Sequence, residues 1–285
     1  MNALIYPNLT RERAFGITLN ILEYLKSAGI GCLMLDDMAA TFADHCSRFI
    51  PADQLPGSAD VLIAVGGDGT MLRASRLAYA ADIPVIGVNA GRLAYLMSLD
   101  EGETGLLKLL GSDSCSVTER IVLEVEVRDS DGNDVFSDIC VNDVVIARGP
   151  EISLVDLDAY CGDRLINRYV ADGLIVSSPT GSTAYNLAAG GPIVDPDVSA
   201  VILTAICPHS LMERPIIFDR RSVLKIINSA SSNKVVRLSC DGGDSIPFGS
   251  GCAAKVKCAS RRLKFLNVKD ETFTDVLNKK MRFYN

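Results

Sequence analysis

The segment Val61–Thr70 reads VLIAVGGDGT and places three glycines and one aspartate directly after an apolar run. The run Val61–Val65 is short and unbroken, which predicts a strand buried on both faces of a parallel sheet. Apolar residues recur at helical spacing over Thr70–Ala80, so the glycine loop is expected at a helix N-terminus. Backbone amides and the helix dipole favour an anion there, and phosphate is the expected ligand.

Asp68 is the unusual residue of this loop, because a carboxylate repels a phosphate unless a cation or a transferable proton lies between them. It is therefore predicted to organise a metal ion or to act as a general base. The alternative is that Asp68 caps the helix that begins near Thr70, which is the commonest role of an aspartate in such a place. Gly66, Gly67 and Gly69 are expected to adopt positive φ angles and to expose bare amides.

The first hundred residues alternate predicted strands and helices, which indicates a doubly wound α/β domain over residues 1–100. Further strands are expected at Ala3–Tyr6, Gly29–Leu35 and Ile83–Asn89, and a helix is expected over Arg11–Ala28. In such a sheet, ligands bind beyond the carboxyl ends of the strands. Asp68 and the loop that follows Asn89 would both lie there.

From residue 101 to about residue 267 the sequence changes to alternating apolar and polar residues with short turns. This pattern predicts an all-β, sandwich-like domain after a short helix over Thr104–Leu110. Its expected strands include Ile121–Arg128, Phe136–Arg148 and Ile152–Ala159. The final segment, residues 268–285, is expected to return to the first domain as a helix or a strand.

Composition excludes several classes of protein. The chain has 285 residues, 48% of them hydrophobic and 22% charged, which is typical of a globular protein with two domains. Its net charge of -7 argues against a nucleic-acid partner, and the lack of an apolar run of ~20 residues argues against a membrane span. A cytoplasmic protein is predicted, because the start MNALIYPNLTRER also lacks a basic leader followed by an apolar block. Nine cysteines without paired spacing indicate reduced thiols, and only two histidines make a zinc site unexpected.

A second cluster of small and polar residues lies within the β region, where Asp172–Tyr185 reads DGLIVSSPTGSTAY. Ser182 and Thr183 can donate hydrogen bonds to ribose or phosphate oxygens. Ala184 permits close approach of a ligand, and Tyr185 offers a flat aromatic face. The alternative is a hydroxyl-rich connection that binds no ligand.

Together, the GGDGT loop, an Asn142-Asp143 pair and the segment PTGSTAYNLAAGGP resemble the NAD kinase family over essentially the whole chain. GGDGT alone is shared with diacylglycerol-type lipid kinases and phosphofructokinases, whereas TGSTAY and AAGGP are more specific. Shared segments also include NAGRLAYL at residues 89–96, TAICPHSLMERP at residues 204–215, Asp241-Gly242 and KKMRFY. The resemblance implies phosphorylation of the adenosine 2′-hydroxyl of NAD by ATP, or by polyphosphate in some members, to give NADP. It also implies Mg²⁺ or another divalent cation with ATP, and a homodimer or homotetramer.

The resemblance assigns roles to individual residues. Asp68 matches the proton acceptor of the family, and Tyr95 falls where an aromatic side chain lies beside adenine. Asn142 and Asp143 would hold adenine and ribose, and Asp172 would reach the nicotinamide end. The other expected binding residues are Gly67, Gly69, Thr70, Arg73, Asn89, Thr183, Ala184, Tyr185 and Ala188.

The chain departs from the family pattern at Ala188, where serine is common, at Val170, where many members have arginine, and at Gly243, which is often glutamine. These departures bear on affinity and nucleotide preference and leave the expected reaction unchanged. Two alternatives stay open. A lipid kinase of the same superfamily is disfavoured by the acidic balance and by the lack of a basic amphipathic helix. A non-catalytic dinucleotide sensor would retain the pocket without phosphoryl transfer.

Overall fold

The computed structural model describes residues 1–91, 94–151, 153–229 and 234–281. The chain forms two compact units, of which the first comprises Met1–Glu119 together with the segment from Leu263, and the second comprises Arg120–Arg262. The second unit is thus an insertion in the sequence of the first. The expected fold class, an N-terminal doubly wound α/β domain followed by a β-sandwich-like domain, is confirmed by the sheets described below.

The elements follow in chain order. The strands are β1 Asn2–Pro7, β2 Gly31–Leu35, β3 Phe49–Ile50, β4 Val61–Gly66, β5 Val85–Asn89, β6 Leu99–Asp100, β7 Ser116–Arg120, β8 Leu123–Arg128, β9 Asp134–Cys140, β10 Asp143–Arg148, β11 Val155–Cys161, β12 Arg164–Ala171, β13 Gly173–Ser177, β14 Ala200–Ile206, β15 Ile216–Asp219, β16 Leu224–Asn228, β17 Val236–Cys240, β18 Ile246–Pro247, β19 Ala253–Cys258 and β20 Leu263–Asn267. The helices are α1 Ala14–Ser27, α2 Ala39–Phe42, α3 Asp68–Ala81, α4 Tyr185–Ala188 and α5 Phe273–Met281. Short 3₁₀ helices lie at Asp36–Met38, Ala52–Gln54, Glu101–Leu109 and Thr180–Thr183.

The first unit is built around a sheet in the order β3-β2-β1-β4-β5-β20-β7, with β6 paired to β5. The pairs from β3 to β20 are parallel. Ile5 of β1 and Ile63 of β4 pack with α1, whereas Gly87 of β5 faces Met71 of α3, so helices cover both faces. The strand order reverses between β1 and β4, and ligands bind at such a reversal in doubly wound sheets.

The segment Glu101–Leu109 and most of β7 belong to the first unit, although the sequence pattern predicts residues 101–119 in the β domain. Leu107 of this 3₁₀ helix packs in the same core as Ile17 of α1, and β7 is hydrogen-bonded to β20. β20 also lies beside β5, in parallel. The last described segment is the helix α5 and not a strand.

The second unit consists of two antiparallel sheets, ordered β15-β14-β13-β10-β17-β18 and β12-β11-β16-β19-β8-β9. β8 shows how the pattern builds them, because Leu123, Val125 and Val127 are buried while the glutamates between them are only partly buried. Buried side chains from both sheets form one core that includes Phe248. The alternation seen in the sequence therefore corresponds to one core-facing side on each sheet.

The single strand expected over Phe136–Arg148 is wrong, because the chain forms β9 and β10 in different sheets. The chain crosses between them at Val141 and Asn142, whose amides donate to the carboxylate of Asp241 at 2.8 and 2.7 Å. A distant carboxylate thus replaces the ladder hydrogen bonds at the crossing. The strand expected from Ile152 is observed as β11, and Ile152 itself lies outside the described residues.

Three further findings concern the protein classes considered from composition. Among the helices that the structure describes, none is both long and apolar enough to cross a membrane. All nine cysteines are free thiols. Within the described ranges, no group of three or more His, Cys, Asp or Glu side chains is placed to hold a metal ion.

Candidate functional site

The glycine loop joins β4 to α3, and Gly67 is the N-cap residue of that helix. Gly67 has a φ of -127°, and neither Gly66 nor Gly69 has a positive φ, so the expected left-handed conformation is wrong. Space is the reason for glycine at position 66, where a Cβ would overlap the side chain of Thr70. The bare amides at the start of α3 remain suited to an anion.

Asp68 does not cap α3, so the capping interpretation is wrong. The N-cap residue is Gly67, which has no side chain to form a cap hydrogen bond. The Asp68 carboxylate instead accepts the amide of Tyr95 at Oδ2 and the amide of Leu96 at Oδ1, both at 2.8 Å. Two charge-assisted hydrogen bonds therefore hold the carboxylate in one orientation.

Asn89, the last residue of β5, fixes the start of the loop that supplies those amides. Its Oδ1 accepts the amide of Gly91 at 2.9 Å, and its Nδ2 donates to Asp100 Oδ1 at 3.3 Å. Asp100 Oδ2 lies 3.3 Å from Lys279 Nζ of α5. Burial alone would raise the pKa of Asp100, but the hydrogen bonds from Asn89 and Lys279 hold that pKa below its usual value. One network thus links the C-terminal helix to the loop that precedes Tyr95.

A cavity of about 360 Å³ lies beside Asn89 in the first unit. Its lining includes an ion pair between Arg13 and Glu101 at 3.3 Å. Arg73 lies in a different, shallow cavity of about 390 Å³, which Tyr6 also lines. The residues brought together around the glycine loop are therefore Gly67, Asp68, Gly69, Thr70, Asn89 and Tyr95.

In the second unit, the Asn142-Asp143 pair meets the hydroxyl-rich segment. The Ser178 amide donates to the Asn142 carbonyl at 2.8 Å, and Asp143 lies opposite Ser177 in the register of β10 and β13. A Cβ at Gly181 would lie 2.6 Å from the Asn142 Cα, so only glycine fits there. These contacts place the two sequence motifs in one cluster.

Two buried oxygens of this cluster lack a hydrogen-bond partner within the described part of the protein: Asn142 Oδ1 and Thr180 Oγ1. An unpaired buried polar group costs about 1–3 kcal/mol, so native proteins rarely leave one without a function. Asn142 Oδ1 is an acceptor only. A ligand that offers a hydrogen-bond donor would satisfy it.

Asp241 was noted from the sequence only as part of an Asp-Gly pair shared with the family, and the structure shows that its carboxylate accepts backbone amides. Its φ of +52° places it in the left-handed region at the turn after β17. Its carboxylate accepts the amides of Val141, Asn142 and Asp143 at 2.8, 2.7 and 3.2 Å. The Asp-Gly-Gly turn at residues 241–243 is the sequence signal for this position.

Asp143 is only 4% exposed, and burial followed by the nearby charge of Asp241 raises its pKa to about 7. An unfolded Asp has a pKa of about 3.9, so the folded state keeps a proton that the unfolded chain releases. This contribution to stability is complete below about pH 4 and is lost as the pH rises through about 7. We therefore expect the free energy of unfolding to fall from about pH 5 to about pH 8.

Asp143→Asn should remove the part of this decrease in the free energy of unfolding that comes from position 143, because an amide does not titrate. Denaturant unfolding of the ligand-free protein at both pH values measures the difference. The control is Asp134→Asn, which alters an exposed carboxylate paired with Arg128 and should leave the pH dependence unchanged. An identical pH dependence in Asp143→Asn and in the native protein would contradict the raised pKa.

Ser182 was expected to donate to a ligand, and this expectation is wrong. Its side chain is fully buried, and its hydroxyl donates to the Val194 carbonyl at 3.1 Å and accepts the Val194 amide at 3.0 Å. Asn186, which the sequence did not single out, is also fully buried. It donates to the carbonyls of Ser182 and Pro192 and accepts the hydroxyl of Thr204 at 2.7 Å. Both residues therefore hold the loop and are not exposed to a ligand.

The remaining predicted residues of this segment lie around the junction between the 3₁₀ helix and α4. Thr183 ends the 3₁₀ helix, Ala184 connects the two helices, and Ala188 ends α4. Tyr185 is 46% exposed, so its ring is free to contact a planar ligand.

Asp172 lies at the other end of β13 from this cluster. Gly173 and Ser177, the ends of β13, are four residue steps apart, or roughly 13 Å at the usual rise per residue. Asp172 precedes Gly173, and its Oδ1 pairs with Arg148 Nε at 2.9 Å. The structure therefore separates Asp172 from Asn142 along one strand.

Comparisons with known proteins give the same family for both parts of the chain. The family model for the ATP-NAD kinase N-terminal domain matches residues 8–106, and that for the ATP-NAD kinase C-terminal domain matches residues 141–268. The NAD kinase of Acetivibrio thermocellus is 36% identical over 279 residues, covering 97% of this chain and 96% of that protein. The crystal structure of yeast NADH kinase complexed with NADH is similar with a TM-score of 0.88 at 26% identity, covering 99% of this chain and 88% of that one. An NAD kinase from Archaeoglobus fulgidus in complex with ATP shares the fold, with a TM-score of 0.74 at 22% identity, covering 99% of this chain and 98% of that one.

Proposed function

Because the chain belongs to the NAD kinase family of enzymes, we propose that it transfers the γ-phosphate of ATP to the 2′-hydroxyl on the adenosine ribose of NAD, giving NADP. The observation that supports this reaction best is the Asp68 carboxylate, held by two backbone amides in a glycine loop at a helix N-terminus. The description of the matching family model, ATP-NAD kinase, contains the names of both proposed substrates.

Asp68 is the proposed general base. The 2′-hydroxyl is a poor nucleophile at neutral pH, and a base that takes its proton contributes typically ~10² to 10⁴ in rate. As the new bond from the ribose oxygen to the γ-phosphorus forms, the bond to the ADP oxygen breaks, ADP leaves, and the proton moves to Asp68. The amides of Tyr95 and Leu96 fix the carboxylate beforehand, which reduces reorganisation during the step.

The donor phosphates are proposed to bind the amides of Gly67 and Gly69 at the start of α3, whereas the amide of Thr70 donates to the Gly67 carbonyl at 2.9 Å. This loop contains one carboxylate, Asp68, and Mg²⁺ at phosphoryl-transfer sites is usually held by one or two carboxylates together with the substrate phosphates, and not by protein groups alone. The residues present therefore do not fit a resident ion, and Mg²⁺ is proposed to arrive bound to ATP, where it neutralises phosphate charge. Polyphosphate as an alternative donor, and a homodimer or homotetramer, are proposed from family resemblance alone.

The second unit is proposed to bind NAD. The unpaired Asn142 Oδ1 would accept the adenine amino group, Asp143 would contact the ribose, and Tyr185 would stack on the base. Asp172, at the far end of β13, would reach the nicotinamide end. Thr183, Ala184 and Ala188 would line the adenosine pocket.

The test is to incubate the pure protein with ATP and Mg²⁺ and either NAD or diacylglycerol. NADP should form in the first reaction, and no phosphatidate should form in the second. Phosphatidate without NADP would replace the proposal with a lipid kinase. Binding of NAD without either product would indicate a non-catalytic sensor.

Asn142→Ala should raise the KM for NAD by at least about tenfold and lower kcat less, because the lost hydrogen bond is made in both ground and transition states. The matched experiment uses the NAD analogue whose adenine is replaced by hypoxanthine, which has no amino group to donate. The native enzyme should prefer NAD over this analogue, and Asn142→Ala should lose most of that preference. An unchanged KM, or an unchanged preference, would remove Asn142 from the adenine site.

A further inference from the structure

The loop between β1 and α1 lies beside the glycine loop in the first unit and is fixed to it. The Asn8 amide donates to the Val65 carbonyl at 2.9 Å, and Asn8 Nδ2 donates to Thr70 Oγ1 at 3.0 Å. Asn8 Oδ1 accepts both the amide and the hydroxyl of Thr10, at 3.2 and 2.8 Å. Asn8 therefore ties this turn to β4 and α3, which sets the direction of the residues that follow.

The turn places the Arg11 side chain next to the glycine loop. The Arg11 amide donates to the Asn8 carbonyl at 3.0 Å, and Arg11 Nη2 lies 3.9 Å from the position that a Cβ of Gly67 would occupy. Across the described ranges, the guanidinium forms no ion pair or hydrogen bond. Arg13, two residues further on, is instead paired with Glu101 at 3.3 Å. Arg11 thus presents an uncompensated positive charge to the loop.

An anion bound at this position would be contacted by two kinds of group. The amides at the start of α3 supply hydrogen-bond donors, and the guanidinium supplies full charge in a planar fork that matches phosphate oxygens. β1 and β4, which precede the two loops, are the strands between which the sheet order reverses. Phosphoryl transfer depends on positioning and on neutralising the charge of the transferring group, which is the contribution a free guanidinium makes.

We propose that Arg11 is a phosphate-binding residue for the donor nucleotide, acting with the amides of the glycine loop. This rests on the proposed function and adds to it a donor-site residue outside the GGDGT sequence. The guanidinium forms no covalent bond, and it contacts the non-bridging phosphate oxygens while the bond to ADP breaks. Arg73 lines a different cavity, together with Tyr6.

The experiment compares Arg11→Ala, Arg11→Lys and Arg13→Ala, with each variant checked for an unchanged thermal unfolding profile. Arg11→Ala should raise the KM for ATP roughly ten- to hundredfold, as expected for loss of a hydrogen bond to a charged group, and change the KM for NAD less than twofold. Arg11→Lys should recover part of the loss, because it keeps the charge without the fork. Arg13→Ala should stay within twofold of the native enzyme in both constants.

Direct binding of inorganic triphosphate, measured by calorimetry, provides a readout that does not depend on turnover. Arg11→Ala should weaken this binding at least tenfold, and Arg13→Ala should not. If the native protein forms NADP but Arg11→Ala keeps the native KM for ATP and the native affinity for triphosphate, the role of Arg11 is overturned. The proposed function would then still stand. A native protein that forms no NADP would overturn the proposed function, and the triphosphate measurement would then decide the role of Arg11 by itself.

Discussion

Asp68→Asn is expected to lower the kcat for NADP formation by roughly 10³-fold, within the range for loss of a general base, while the Kd for NAD stays within a few-fold. The amide cannot take the proton of the ribose hydroxyl at neutral pH. Its oxygen still accepts one of the two backbone amides of Tyr95 and Leu96, but its NH₂ group cannot accept the other. The loop therefore keeps one of its two anchors.

The measurements are steady-state turnover and calorimetric titration with NAD. The matched control is Asp82→Asn, at the opposite end of α3, where an asparagine tolerates the left-handed φ of +54°. Asp82 lies 3.4 Å from Lys264, and its exchange should leave turnover near the native value. Retention of more than about a tenth of native turnover by Asp68→Asn would overturn its assignment as the base, since a base contributes at least ~10².

Gly181→Ala is expected to lower the free energy of unfolding by about 3 kcal/mol, as overpacking against rigid atoms does. The added Cβ would lie 2.5 Å from the Asn142 carbonyl carbon and 2.6 Å from its Cα, and backbone cannot move aside as a side chain can. Because Asn142 is displaced, NAD affinity should fall at least about tenfold as well. Thermal unfolding and calorimetric titration with NAD measure the two effects.

Gly249→Ala is the matched control within the second unit. The nearest atom to its added Cβ is Cys252 Sγ at 3.9 Å, and Gly249 is exposed without a left-handed φ. Stability and NAD affinity should therefore stay close to native. Equal effects of the two substitutions would show that contact with Asn142 is not the reason for glycine at position 181.

The fold class and the glycine loop followed from local sequence, because β4, the loop and α3 are contiguous and their apolar spacing reflects burial on each side. The same holds for β8, where apolar and charged residues alternate. The crossing between β9 and β10 was missed because its cause, Asp241, lies 100 positions from Val141. A sequence pattern reveals only interactions between residues that are close together in the chain, and Asp241 and Val141 are not.

The grouping of Asp68 and Asn89 at one edge of the sheet was predicted from the sequence, but the contacts of these residues were not. Residue type suggested Ser182 as a ligand donor, whereas topology assigns its hydroxyl to Val194. Asp68 was recognised by its unusual surroundings, but the amides of Tyr95 and Leu96 that orient it depend on how β5 lies beside β4. Asn8 and Arg11 follow β1, and their relevance appears only once β1 and β4 are known to be adjacent.

The strand β20 completes the first sheet but is encoded after the entire second unit. During translation, the second unit is a continuous stretch that can fold as soon as it leaves the ribosome, whereas the nascent first unit must wait for Leu263–Asn267. Until then, β5 has an unpaired edge near Val85, and such edges promote aggregation. We therefore expect biosynthetic yield to depend on how quickly the ribosome reaches the codons for Leu263–Asn267.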